Sequence, residues 1–220
     1  MILIDFTQVV IGSLMVALNR GEDLIEDLVR HLVLNNIRYY RTRFIEKYGE
    51  VVICCDSRHY WRKDYFPNYK ANRKIDRKKS AYDWDFIFAT LNTIRSEIED
   101  NFPYKVLEVY GAEADDIIAT YSVEASKLDI PSLIVSSDKD LMQLVNEKVE
   151  MLDPMKNKHI GVNEVIEKFG VEPEKVIQIQ ALTGDKIDNI PGAPGIGPKT
   201  ALELIKEFGD IDNLIKNADR

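Results

Sequence analysis

Acidic residues recur at one kind of position along this chain. Asp5 closes "ILID", and Asp56 follows "VVICC". Glu113, Asp115 and Asp116 stand in "YGAEADDIIATYS", just after "KVLEV". Asp138 and Asp140 lie in "SSDKDLMQL", just after "SLIVS". Taken singly, each acid could cap a helix, because Asp is a preferred N-cap and acids in a first turn complement the helix dipole. Four apolar runs that each end in carboxylates make independent capping a poor account. Crowded carboxylates cannot all ionise unless positive charge compensates them. The chain has 3 His, none at metal-ligand spacing, and 2 Cys, so an oxygen-only donor set points to Mg²⁺ or Mn²⁺ rather than zinc. The acids also exceed the needs of one octahedral ion, and two ions sharing carboxylates suit phosphodiester hydrolysis.

The elements that must position these acids follow from the apolar pattern. The runs Ile2–Ile4, Val51–Cys55, Lys105–Val109 and Ser132–Ser136 read as strands buried on both faces. Helical patterns separate them, in "EDLIEDLVRHLVLNNIRYYRTRFIEKYG", "DFIFATLNTIRSEIEDNF" and "EADDIIATYSVEASKL". Alternation of this kind predicts an α/β fold with a mostly parallel central sheet and helices on both faces. The carboxylates then gather at the C-terminal edge of the sheet, where ligand sites form in open parallel sheets. Cys54 and Cys55 are neighbours on one strand, so they should face opposite ways as reduced core residues. After about residue 163 the pattern changes to short helices, "NEVIEKFG", "EPEKVIQIQALTG" and "PKTALELIKEFG", separated by Gly and Pro turns.

Charge is distributed unevenly. The 220 residues carry a net charge of −8, yet the segment Arg58–Lys79 has nine basic residues against Asp64 and Asp76 alone. It interleaves these cations with Tyr60, Trp61, Tyr65, Phe66 and Tyr69, a mixture suited to a single-stranded polyanion. Further on, "GDKIDNIPGAPGIGPKTALELIKEFG" places Gly192, Gly195 and Gly197 in a tight turn ahead of Pro198 and Lys199. That is a helix-hairpin-helix pattern, in which backbone N–H groups and a helix N-terminus can approach phosphate. It lacks the spacing of a Walker A loop. Asp185 and Asp188, just upstream, could reach back toward the other carboxylates. No apolar run approaches the roughly 18–20 residues of a membrane span, and the opening lacks the basic region and cleavage site of a secretory leader. The expectation is a monomeric cytoplasmic protein, in a host cell if phage-encoded, with no membrane contact.

The motifs "ILIDF", "CCDS…YWRKDYFPNYKANR", "EADD", "SSDKDLMQL" and "GDKIDNIPGAPGIGPKTA" occur in an order that resembles the 5′-nuclease (flap endonuclease) family. That family includes the exonuclease domains of bacterial DNA polymerase I. "LIDFTQ", "VRHLVLNNI" and "YWRKD" look most similar to its T-even bacteriophage branch of 5′-to-3′ exonucleases called ribonuclease H. The hairpin differs from that branch and is similar to the fuller family pattern.

The resemblance covers essentially the whole chain. It implies a PIN-like nuclease core over residues 1–162, with an arch at about 58–82. It also implies a helical DNA-binding subdomain over 163–220, whose helix-hairpin-helix spans about 184–209. The activity implied is Mg²⁺-dependent, structure-specific cleavage of DNA or RNA from 5′ ends or flaps, as in RNA primer removal during lagging-strand replication.

By the same resemblance, Asp5, Asp56, Glu113, Asp115 and Asp138 hold or surround one metal ion. Asp140, Asp185 and Asp188 serve a second, with some sharing, and Asp116 stands behind them. Mn²⁺ substitutes for Mg²⁺, and a K⁺ ion sits at the hairpin. Lys70 joins Asp5, Asp56, Glu113, Asp115 and Asp138 as a catalytic residue, beside the scissile phosphate. Arg62, Tyr69, Lys70 and Arg73, with Gly195, Gly197, Lys199 and Thr200 in the hairpin, are the implied nucleic-acid contacts. The implied partners are branched or nicked DNA and RNA–DNA hybrids with a 5′ single strand, with single-strand DNA-binding protein and a sliding clamp. Because relatives continue beyond "NADR" with more helices, the chain is expected to be a piece of a longer protein. Two other readings stand beside this one, a catalytically inactive DNA-junction binding protein and a PIN-type ribonuclease.

Overall fold

The computed structural model describes residues 1–218. The expected subdomain and the closing "NADR" therefore run past it, residues 219 and 220 lying outside the described residues. The elements in chain order are β1 (Ile2–Asp5), α1 (Phe6–Asn19), α2 (Glu26–Tyr48), β2 (Val51–Cys55), α3 (Trp61–Tyr65), α4 (Ala71–Lys79) and α5 (Trp84–Asn101). Next come β3 (Lys105–Glu108), α6 (Ala114–Lys127), β4 (Ser132–Val135), a 3₁₀ turn (Lys139–Leu144), β5 (Val149–Asp153) and β6 (Lys158–Ile160). The remainder is α7 (Val162–Phe169), a 3₁₀ turn (Pro173–Lys175), α8 (Val176–Thr183), β7 (Gly184–Asp185), β8 (Ile190–Pro191), α9 (Pro198–Phe208) and α10 (Ile211–Lys216).

Six strands form the central sheet in the order β3-β2-β1-β4-β5-β6. All pairings are parallel except β5–β6. The chain runs outward from β1 through β2 to β3, then returns to β4 on the other side of β1. The direction of winding thus reverses beside β1, and such a switch point opens a crevice at the strand C-termini. Asp5 and Asp138 leave the two strands that flank it.

Strand alternation divides the core. Ile2, Ile4, Ile53, Cys55 and Val135 face α1, α2 and α5, where Leu14, Val33, Ile37, Leu91 and Ile94 complete one buried cluster. Leu3, Cys54, Ile134 and Met151 face the other way, against Ile117 and Ile118 of α6, Val165 of α7 and Val176 of α8. Cys54 and Cys55 are free, buried and on opposite faces, as alternation requires. A third, smaller cluster of Val171, Ile179, Leu182, Ala201 and Ile205 holds α8 and α9 together.

The sheet has two strands beyond the four expected, β5 and β6. Helix α1 is also additional, and Asp5 is its N-cap, accepting the Gln8 N–H at 3.2 Å. The basic segment carries two helices, α3 and α4, and is tied down at its start and between the two helices. Ser57 and Trp61 donate their N–H groups to Ala112 and Gly111 at 3.0 and 2.9 Å, and Lys70 donates its N–H to the Asp188 carbonyl at 2.9 Å. The junction of α8 with β7 needs glycine at Gly184, whose φ is +70° and whose Cβ would lie 2.3 Å from the Gly192 nitrogen just after β8.

Candidate active site

The short turn between β3 and α6 resolves how three close acids take separate positions. Glu113 is the N-cap, with φ −90° and ψ 164°, so it precedes regular helical geometry. Asp116 accepts the Glu113 N–H at 2.9 Å, closing the first turn. Asp115, between them, points into the carboxylate group at the sheet edge. The Asp56 carboxylate accepts the Ala114 N–H at 2.9 Å, which binds the end of β2 to the start of α6.

Asp5 is 6% exposed, and its free oxygen accepts the Ser136 hydroxyl at 3.0 Å. Burial, then the neighbouring charges of Asp56 and Asp138, push its pKa up to about 7, against hydrogen bonds from Ser136 and Gln8. Burial and the charges of Asp5, Asp138 and Asp56 push Asp115 up to about 8, against the pull of Lys70. Asp138 caps the 3₁₀ turn by accepting the Asp140 N–H at 2.9 Å. Asp140 is raised by burial and by Asp138, while Gln180 of α8 donates to its carboxylate. Asp138 is therefore common to two groups, one with Asp5, Asp56 and Asp115, the other with Asp140 and Asp185.

The remaining acids are paired. Glu113, 3% exposed, accepts Lys70 Nζ at 2.7 Å and Arg62 at 3.0 Å. Arg62 also grips Asp116 with two bonds of 2.8 Å, a bidentate geometry that favours the charged forms. Burial alone would raise Asp116, but the Arg62 hydrogen bonds and charge together with the Glu113 N–H outweigh it and the pKa is lowered. Asp188 is 6% exposed and takes Arg73 at 2.6 Å, with Lys70 Nζ 3.7 Å away. Asp185 pairs with Lys139 at 2.8 Å, and burial, which would raise its pKa, is outweighed by that ion pair together with the Ile187 and Asp188 N–H groups, so the pKa is lowered. Burial would lower Lys70, but the hydrogen bonds and charges of Glu113 and Tyr69 together outweigh it and the pKa is raised. Its backbone is left-handed, with φ 54°, a conformation that costs a non-glycine residue roughly 1–2 kcal/mol. The Asp188 carbonyl and the Glu113 carboxylate hold it there.

Asp5, Asp56, Asp115, Asp138 and Asp140 thus share the sheet edge with Glu113 and Lys70. Asp185 and Asp188 approach from the β7–β8 hairpin through Lys139, Lys70 and Arg73. Among the described residues, no three His, Cys, Asp or Glu side chains close round one point as a ready-made ion cage. The donor set is nonetheless all oxygen, and Asp5, buried, and Asp115, half-buried, lie beside like charges with no cation in contact among the described residues. That chemistry fits a hard divalent ion.

Tyr69 differs from expectation. It is 6% exposed, its ring packs edge-on against Tyr60 and its hydroxyl reaches Asp188 at 3.3 Å, so it presents no face to a base. Gly195, Gly197, Lys199 and Thr200 all lie exposed at the head of α9, with Gly195 at φ +78° and Gly197 as the N-cap. Three residues absent from the expectations arrange the acids: Ser136 on Asp5, Lys139 on Asp185 and Gln180 on Asp140. Lys139 was visible as the cation between Asp138 and Asp140, whereas the Gln180 contact is purely tertiary.

Comparison with known proteins extends this geometry. Residues 29–170 match the family profile described as the 5′-3′ exonuclease N-terminal resolvase-like domain. Residues 171–220 match that of the 5′-3′ exonuclease C-terminal SAM fold. The chain is 49% identical over 158 residues to a DNA polymerase I of Rhizobium leguminosarum, covering 72% of this chain and 15% of that protein. It is 45% identical over 115 residues to a 5′-3′ exonuclease of Aquifex aeolicus, covering 52% of this chain and 40% of the other. It therefore spans well under half the length of either relative. A bacteriophage T5 flap endonuclease, solved in a pseudo-enzyme-product complex with DNA and metal ions, shares the fold with a TM-score of 0.76 at 23% identity, over 98% of this chain and 77% of its own. With one profile matching strands β2 to β6 and the carboxylates that follow β2 to β4, and the second matching the helices and hairpin that follow, the chain belongs to the 5′-3′ exonuclease family of nucleases.

Proposed function

We propose that this chain is a structure-specific 5′-nuclease that hydrolyses phosphodiester bonds of DNA or RNA at 5′ ends and flaps by a two-metal-ion mechanism. The observation that carries the reading is the convergence of Asp5, Asp56, Asp115 and Asp138 at the switch point, facing the cations of α3 and α4. Residues 1–162 form the nuclease core in this reading, and 163–220 the duplex-binding part.

Asp5, Asp56, Glu113, Asp115 and Asp138 would hold one divalent ion, and Asp140, Asp185 and Asp188 with Asp138 the other. Mg²⁺ is the expected ion, with Mn²⁺ able to replace it. When bound, such ions supply an activated water and neutralise charge on the leaving oxygen. Asp116 and Arg62 fix the Glu113 turn. Lys70, held by Glu113, points its ammonium at the acids and would stabilise charge developing on the scissile phosphate. The exposed turn of Gly195, Gly197, Lys199 and Thr200 would carry the duplex backbone, with a K⁺ ion there.

The substrates this reading assigns are branched or nicked DNA and RNA–DNA hybrids with a 5′ single strand, as in lagging-strand primer removal. Its protein partners would be single-strand DNA-binding protein and a sliding clamp, and the chain itself would act as a cytoplasmic monomer. No helix among the described residues is long and apolar enough to cross a membrane.

One observation favours a second reading. Lys70, Arg62, Arg73 and Lys139 already neutralise four of the acids, which would suit a junction-binding protein without catalysis. Cleavage of a 5′-flap duplex in Mg²⁺, set against a plain RNA strand and against Asp138→Asn, separates the readings. The nuclease reading requires flap cleavage that the substitution abolishes while binding persists. Binding without cleavage by the unmodified chain supports the junction binder. Preference for the plain RNA strand supports a PIN-type ribonuclease.

A further inference from the structure

Strand β5 also ends on a carboxylate, Asp153, at the edge of the sheet where Asp5 and Asp138 stand. It has the position of a metal ligand but not the surroundings of one. At 5% exposed it is as deeply buried as Asp5, yet the protein itself supplies its donors. One oxygen, Oδ1, accepts the Ser137 hydroxyl at 2.6 Å and the N–H groups of Met155 and Lys156 at 3.0 and 3.3 Å. The other, Oδ2, lies 3.4 Å from the Lys156 ammonium. Burial would raise the Asp153 pKa, but these donors together outweigh it and the pKa is lowered. Its charge is not among the main ones acting on Asp5, Asp115 or Asp140. Asp153 thus needs no metal ion to balance it.

What Asp153 does hold is the residue before Asp138. Ser137 is fixed twice, by its hydroxyl on Asp153 and by its N–H on the Gln8 side-chain oxygen at 3.1 Å. Gln8 in turn donates its own N–H to Asp5. Ser136 completes the frame, since its hydroxyl accepts the Asp138 N–H at 3.1 Å and donates to Asp5 at 3.0 Å. The segment that brings Asp138 to the switch point is therefore tied to β1, to α1 and to the turn between β5 and β6. That turn rests on α1, because the Met155 sulfur would lie 2.7 Å from a Cβ at Gly12. Without the bond to Asp153, Ser137 loses one of its two anchors and the segment is held from the Asp5 side alone.

We propose that Asp153 is a positioning residue for metal binding: through the Ser137 hydroxyl it sets the place of Asp138, the carboxylate common to both groups of acids, without itself touching an ion. The proposal rests on the two-metal reading above. Carboxylates that hold ions are aligned by such outer hydrogen bonds, and losing one costs about 10–100-fold in metal affinity. Every hydrogen bond from the Ser137 side chain and the Met155 and Lys156 backbone goes to Oδ1. The geometry therefore calls for an oxygen at that position rather than for a charge.

The test is Mn²⁺ binding by the full chain without DNA, read from the electron paramagnetic resonance of the free ion, with each variant's melting temperature taken alongside. Asp153→Ala and Ser137→Ala should each weaken binding about tenfold. Asp153→Asn, which keeps Oδ1 as an acceptor, should bind within about twofold of the parent. The variant carrying both alanines should bind no more weakly than the weaker single variant, because the two side chains make one interaction. An Asp153→Asn chain as weak as Asp153→Ala would mean that Asp153 acts through its charge, and would overturn the proposal. So would losses that multiply in the double variant, or alanine variants that melt earlier yet bind Mn²⁺ as the parent does. Ser137→Ala removes only a half-buried hydroxyl, so it decides the question even if Asp153→Ala does not fold. A parent chain that takes up no Mn²⁺ would overturn the metal reading itself, without reference to any variant.

Discussion

The carboxylates at the sheet edge and those facing the arch are the same chemical groups with opposite electrostatic histories. Asp5, buried, and Asp115, half-buried, lie among other acids, have no cation in contact among the described residues and are pushed up to about 7 and 8. Asp116 and Asp185 are held below the usual carboxylate range by Arg62 and Lys139, while Lys70 and Arg73 neutralise Glu113 and Asp188. The difference lies in what supplies the positive charge. At the arch the protein supplies its own, and the ion pairs also fasten α3, α4 and the β7–β8 hairpin to the core. At the switch point no cation among the described residues touches Asp5 or Asp115, so their charge is balanced by a proton or by a cation from outside the chain.

Substitutions that remove charge from the unpaired set should have the largest effects. Asp5→Asn and Asp138→Asn are expected to lower flap cleavage about a thousandfold or more in single-turnover assays, because each removes a donor to the ions. Retention of cleavage within tenfold would dissolve the distinction between the two sets. Lys70→Ala comes next. It should lower turnover about a hundredfold with a smaller loss of binding, as removal of a charge-stabilising donor does. An unchanged rate would make Lys70 a fastener alone.

The two sets should also differ in pH dependence. A carboxyl with a raised folded pKa binds its proton more tightly folded than unfolded. Its contribution to stability is therefore greatest at low pH and declines as pH rises from about 4 through 7 to 8. A divalent ion bound at Asp5 and Asp115 should restore what is lost. Mg²⁺ is thus expected to raise the melting temperature by several degrees at pH 8.5, and by less at pH 6, roughly 2–4 °C per kcal/mol in a chain of this size. An equal rise at both values would place binding elsewhere. The smallest effect is expected for Asp116→Asn, whose bond to the Glu113 N–H and whose partner Arg62 both remain. A loss of about 1 kcal/mol in chemical denaturation, with cleavage lowered less than tenfold, would fit a supporting role.

What the sequence disclosed follows the same division. Strands β1, β2 and β4 are short apolar runs buried on both faces, whereas β3, expected to be buried likewise, is a half-exposed edge strand; the acids after all four are read directly from position. Helix α1 is not legible because "FTQVVIGSLMVALN" is apolar nearly all round and shows no stripe, although Asp5 ahead of it is its N-cap. β5 and β6 escaped because "VEMLD" and "KHI" are short and mix charge with apolar residues. The placement of Glu113 before the helix and Asp115 within it was legible once a strand was known to end just ahead. Which arch cation meets which acid was not, since Lys70–Glu113 and Arg73–Asp188 join residues 43 and 115 apart in the chain. Tyr69 shows the limit most plainly, because composition marks an aromatic as available to a base and only packing reveals that its ring is buried.

Anomalous scattering from a crystal soaked in Mn²⁺ tests the central claim most directly, since it locates the ions without reference to activity. The account predicts two peaks, one among Asp5, Asp56, Asp115 and Asp138 and the other beside Asp138 and Asp140, with Arg62 still on Asp116. No peak at the switch point, with Lys70 and Lys139 unmoved from Glu113 and Asp185, would contradict it.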